Sequence, residues 1–197
     1  MMTVVGITGG IGSGKSTVCK IWQSLGARLL NADALAKELM NTDPEIKQQL
    51  VDKFGTDSFH ENGSLNRDHL AKEAFEKNRV EELNAIVHPK IPQAVQYKIQ
   101  QAQTDGINVF VYEAALLLDN LRPKQMDVVV LVLADRQKRL ERVQQRDGSR
   151  EQEILQRMEK QRNFEESVHE ADYVIRNNGT LQELESKAKD LYQNFLP

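Results

Sequence analysis

Five short apolar runs punctuate the chain, at residues 4–8, 27–30, 109–112, 128–133 and 173–175. Their residues are mostly β-branched or aliphatic, the pattern of strands buried on both faces of a parallel sheet. Between the runs the spacing lengthens to that of helices. Val18, Ile21, Trp22 and Leu25 recur at helical intervals and stop at Gly26, while Leu181, Leu184, Leu191 and Phe195 trace an amphipathic C-terminal helix. Strand and helix therefore alternate, which predicts an α/β fold built on a parallel sheet. One crossover is far longer than a single helix requires. Residues 32–107 read as several helices broken by Pro44, Gly55, Gly63, Pro89 and Pro92, enough for a substrate lobe. A second insertion, residues 135–162, holds Gly148 between two helical patterns and suits a hinged lid. The expected layout is one domain over 1–197, with a core at about 1–32, 108–134 and 163–197, a helical lobe at about 33–107 and a lid at about 135–162.

Composition narrows the partners. A net charge of -3 and a pI near 5.9 argue against nucleic-acid binding through bulk positive charge and favour small molecules. Cys19 is the only cysteine, which excludes a disulfide framework and a thiolate zinc cluster and fits a reducing cytoplasm. The longest apolar run, residues 128–134, is far short of a membrane span, and the N-terminus lacks a signal-peptide pattern.

The chemistry begins at "GITGGIGSGKST", which follows the first predicted strand and opens the first predicted helix. Gly9, Gly14, Lys15 and Ser16 satisfy G-x-x-x-x-G-K-[ST] in the context that motif requires. Backbone N–H groups from Gly9, Gly10, Ile11, Gly12, Ser13 and Gly14 onward through Thr17, aided by the helix N-terminus, would surround the phosphates of ATP. Lys15 would reach the β and γ phosphates, and the Ser16 hydroxyl would hold Mg²⁺. A glycine-rich turn that merely caps a helix would need neither the lysine nor the hydroxyl. Switch GTPases share the motif, but no Asn-Lys pair occurs in the chain to read guanine, and the Asp52–Gly55 segment reads as a helix end.

A kinase needs an acceptor site, a group to orient or deprotonate the acceptor hydroxyl, and cations to balance the transferring phosphoryl group. Asp33, just past the second strand, lies where ligands of open parallel sheets bind, and could take the proton. It could equally cap the helix starting near Ala34. The lid segment carries nine Lys or Arg against six Asp or Glu, so its local +3 leaves -6 for the remainder. Arg142 and Arg146, one helical turn apart, are its charge-balancing candidates, against the alternative of a solvated, ion-paired helix. Glu113, ending the third strand, could orient Mg²⁺-bound water or the acceptor, or be an acid buried beside a cation. His88, before Pro89, reads first as a helix end, and Trp22 as core.

Taken together these stretches resemble the dephospho-coenzyme A kinase family through nearly the whole chain. Besides the opening loop, the resemblance rests on Ala32-Asp33, on Phe54-Gly55, on "GSLNRDHL" at 63–70 and on "LNAIVHPKI" at 83–91. It continues through "RLERVQQRDG" at 139–148, Arg157, Gln161 and "ADYVIRNNG" at 171–179. It implies a three-layer P-loop kinase fold with a five-stranded parallel sheet, a helical substrate lobe and a helical lid. It also implies phosphorylation of the ribose 3′-hydroxyl of dephospho-coenzyme A by ATP with Mg²⁺, in the cytoplasm. By this resemblance Asp33 is the base, Lys15, Arg142 and Arg146 complete the catalytic set, Arg67 and His88 contact the acceptor, and Asn177 lies near adenine. The chain departs from the family pattern at Asn31, where an aspartate is usual, and in "EAALLLDN", where a proline and a Phe-Glu pair are usual. Glu113 and Asp119 are the acids available there.

Overall fold

In the computed structural model, residues 1–115, 117–118 and 124–197 are described, without the side chain of Phe75. Asp119 lies outside them. The five strands fall where the apolar runs place them: β1 at Thr3–Thr8, β2 at Arg28–Asn31, β3 at Val109–Glu113, β4 at Val128–Leu133 and β5 at Tyr173–Arg176. All pair in parallel in the order β2-β3-β1-β4-β5. The polypeptide divides into two compact units, Met1–Asn31 with Ile99–Pro197, and Ala32–Lys98.

The first unit is organised by the sheet. Side chains alternate across a strand, so Val130 and Val132 join one core cluster while Leu131 and Leu133 join another with Phe164. Burial on both sides explains why β4 is apolar throughout. Helices α1 (Lys15–Ser24) and α9 (Leu181–Gln193) pack on the Val130 side. Trp22 is their joint: fully buried, it donates its indole N–H to the Ala188 carbonyl at 2.7 Å and meets the Phe195 ring edge-on at 5.4 Å. The C-terminal helix keeps its expected amphipathicity with a shifted stripe. Leu181 is exposed, whereas Leu184, Ala188 and Tyr192 are buried, and Phe195 packs from beyond the helix end.

The second unit holds α2 (Ala32–Thr42), α3 (Pro44–Phe54), α4 (Arg67–Ala71), α5 (Val80–Val87) and the start of α6 (Ile91–Thr104). Its own core gathers Ile46, Leu50, Phe54, Leu65, Leu70 and Val87. Asp43 caps α3 through the Glu45 and Ile46 N–H groups, and Pro44 takes the first helical position, where a missing N–H costs nothing. The division between the two units falls within α6, after Lys98. Residues 135–162, the segment expected to act as a lid, form α7 (Arg136–Asp147) and α8 (Glu151–Glu159), with Gly148 closing α7.

Candidate active site

The loop between β1 and α1 carries the first group of side chains. Lys15 turns its ammonium onto the loop's own carbonyls, donating to Gly9 O at 2.5 Å and to Gly10 O at 3.4 Å. Ser16 donates its hydroxyl to Glu113 Oε1 at 2.7 Å, and the Asn31 amide donates to Glu113 Oε2 at 3.1 Å. Three adjacent strands explain this convergence, because β2, β3 and β1 end side by side and Asn31 is directly in register with Glu113. Glu113 is buried, yet both of its oxygens are engaged. Where an aspartate at position 31 would set a second negative charge against Glu113, the asparagine supplies a donor.

Asn177 ends the loop's freedom from the other side. Its buried amide donates to Ser13 O at 2.8 Å, and it stands so near Gly14 that a Cβ there would collide with it. Gly14 also has φ +106, a conformation other residues resist, so glycine is required twice over. Arg142 donates to Asn177 O at 3.0 Å, while its Nη1 is buried with no hydrogen-bond partner among the described residues. A buried guanidinium nitrogen without an acceptor is costly unless an anion supplies one. Arg146 is exposed and paired with Asp147 at 2.6 Å. Gly12, Gly14, Lys15, Ser16, Thr17, Lys20, Arg142, Val143 and Arg146 line one open cavity of about 310 Å³. Four cationic side chains thus surround a helix N-terminus, an anion site by charge and by dipole.

The remaining sequence expectations fall in the second unit. Asp33 lies in the first turn of α2, exposed, and that helix already begins at Ala32. The capping alternative for Asp33 is therefore displaced, since a cap residue precedes the first turn. Arg67 is the first residue of α4, exposed, behind the Asn66 cap. His88 is exposed and ends α5, as Pro89 implied. Among the described residues no three His, Cys, Asp or Glu side chains converge as a metal cage. The Ser16 and Glu113 oxygens nevertheless fit Mg²⁺, a hard cation that keeps waters and takes phosphate oxygens rather than a full set of protein ligands. Cys19, on the buried face of α1, is inert: burial, then the nearby Glu113 charge, push its thiol pKa upward.

Two residues within the resemblance that carried no assigned role, Arg139 and Gln161, reach the loop. Arg139 donates Nε to Ile11 O at 2.9 Å, and Gln161 accepts the Ile11 N–H at 2.9 Å. Burial, with Arg136 nearby, holds the Arg139 pKa below the ordinary guanidinium value. Both residues lie more than a hundred positions from Ile11, beyond any helical or strand period.

A parallel sheet in this order, with a phosphate-type loop leaving its central strand and cations gathered over it, defines a P-loop kinase. The family model described as dephospho-CoA kinase matches residues 3–183. The dephospho-CoA kinase of Salinibacter ruber is 40% identical over 192 residues, covering 97% of this chain and 96% of that relative. Among solved structures, TT1252 from Thermus thermophilus superposes with a TM-score of 0.79 at 30% identity, covering 100% of this chain and 99% of that one. The dephospho-CoA kinase from Campylobacter jejuni superposes at 0.75 and 22% identity over 100% and 98% of the two chains, a likeness of fold. The chain belongs to the dephospho-CoA kinase family, whose reaction transfers a phosphoryl group from ATP to dephospho-CoA in the last step of coenzyme A biosynthesis.

Proposed function

We propose that this chain phosphorylates the ribose 3′-hydroxyl of dephospho-CoA from MgATP, in the cytoplasm, with the roles assigned as follows. The observation that carries the site assignment is the cavity over the loop, where Lys15, Ser16, Lys20, Arg142 and Arg146 meet. Lys15 exchanges loop carbonyls for β and γ phosphate oxygens, and residues 9–17 hold the rest of the triphosphate through N–H groups other than that of Ile11, which donates to Gln161. The unpartnered Nη1 of Arg142 donates to the same anion, and Arg146 adds charge from the next turn. Asp33 takes or steers the acceptor proton, and Arg67 and His88 contact the acceptor. Asn177 holds the adenine side of the loop in place through Ser13. Mg²⁺ held beside Ser16 would supply charge neutralisation to the transferring phosphoryl group. Ser16 would hold it directly, with Glu113 behind Ser16 orienting its water.

The deciding experiment measures ADP release from MgATP with and without dephospho-CoA, together with the product mass. Acceptor-dependent release and a product one phosphate heavier are expected. Release that ignores the acceptor, or none at all, would replace this reading with that of a nucleotide-dependent regulator. A separate result is expected for Glu113→Gln, which keeps shape and removes charge. The Mg²⁺ concentration for half-maximal turnover should rise about tenfold, as for lost partners of metal ligands. ADP affinity in EDTA should stay unchanged, and an unaltered Mg²⁺ requirement would leave Glu113 as a structural tie between β3, Asn31 and Ser16.

A further inference from the structure

Ile11, at the tip of the phosphate loop, is held in three ways by the segment that forms the lid. Its N–H donates to Gln161 Oε1 and its carbonyl accepts from Arg139 Nε, each at 2.9 Å. Arg139 Nη2 in turn reaches Gln161 Oε1 at 3.4 Å, which closes the arrangement into a ring. The Ile11 side chain packs against Leu140, Val143, Ile154 and Met158, the apolar cluster between α7 and α8. Contact extends to the backbone, because a Cβ at Gly12 would lie 2.5 Å from the Arg139 carbonyl. Arg139 belongs to α7 and Gln161 follows α8, so both arms of the lid meet on one residue, through the two peptide groups that flank its Cα.

We propose that Gln161 and Arg139 are positioning residues that make the tip of the phosphate loop a working part of the lid, with Ile11 as the shared element. The inference rests on the loop being the ATP site. A loop rich in glycine spans many conformations, and aiming its N–H groups before the phosphates arrive lowers the cost of binding. Hydrogen bonds to the peptide groups before and after Ile11 supply that order. The coupling works in both directions: phosphates that fix the loop also stiffen α7 and α8, and loosening the lid's grip weakens phosphate binding. Arg139 and Gln161 need not touch the reacting atoms to do this.

Amide hydrogen exchange on the intact protein, with and without ADP and with no acceptor present, tests the proposal. ADP is expected to slow exchange at Ile11 and Ser13 and, in parallel, along α7 and α8. In Gln161→Leu, ADP should bind about five- to tenfold more weakly, the scale of one lost hydrogen bond, and lid protection should no longer follow loop protection. The KM for ATP should rise by a similar factor with little change in kcat, whereas a merely structural defect would lower the active fraction and leave KM alone. Gln161→Glu, which keeps an acceptor for the Ile11 N–H and for Arg139, should restore ADP affinity. Unchanged ADP affinity and unchanged lid protection in Gln161→Leu would overturn the proposal. Should that variant fail to fold, the unaltered protein decides: a loop protected by ADP beside an unprotected lid counts against coupling, and parallel protection supports it. An unaltered chain that does not bind ADP would overturn the nucleotide reading itself, and this inference with it.

Discussion

Lys15→Ala is expected to lower turnover about a thousandfold, the loss seen when a preorganised charge is removed from a phosphoryl or acyl transfer site. Lys15 already sits at the loop, its ammonium 2.5 Å from Gly9 O. The ammonium is held against the loop, so phosphate oxygens can replace those carbonyls with little reorganisation of the side chain. Truncation removes the charge nearest the transferring group but leaves the N–H groups and the helix N-terminus intact, so ADP binding should suffer much less than turnover. That split separates a role in the transition state from general anchoring. Initial rates with saturating acceptor, beside ADP titration by calorimetry, provide the measurement. Turnover within tenfold of the unaltered protein would remove Lys15 from the catalytic set. A thermal midpoint measured on the same sample guards against misfolding, which is not expected for this partly exposed side chain.

What could be read from the sequence was what repeats locally. The five strands lie within a residue or two of the apolar runs because burial on both faces of a parallel sheet imposes a continuous apolar signal. The loop was legible for a different reason, since glycine, lysine and serine at fixed spacing are what a phosphate cradle between a strand and a helix demands. Contacts made by distant segments left no such mark. Asn177 reads locally as part of a polar loop after β5, and only the fold shows its amide holding Ser13. The stripe of α9 was misplaced at Leu181 because Ala188 and Tyr192, the residues that face Trp22 and its neighbours, are weak hydrophobic signals. Asn31 shows the same limit in reverse. Its departure from the family's aspartate was visible, but its partner, Glu113, was identifiable only when β2 and β3 were seen in register.

Asp33→Asn provides the second large effect: kcat is expected to fall about 100-fold or more while the KM values for ATP and acceptor change little. The substitution keeps size and hydrogen-bonding reach and removes the ability to take a proton. Because α2 begins at Ala32, Asp33 occupies the first turn rather than the cap, and asparagine there costs only the modest attraction between a carboxylate and a helix N-terminus, roughly 0.3–1 kcal/mol. A loss of stability large enough to imitate lost catalysis is therefore not expected, and the thermal midpoint should confirm it. The informative comparison is between kcat and KM. If Asp33 takes or steers the proton of the acceptor hydroxyl, its loss is felt after both substrates are bound, and kcat carries the change. If it only holds the acceptor, KM for dephospho-CoA rises while kcat at saturation survives, and the base must be sought among other groups or in water.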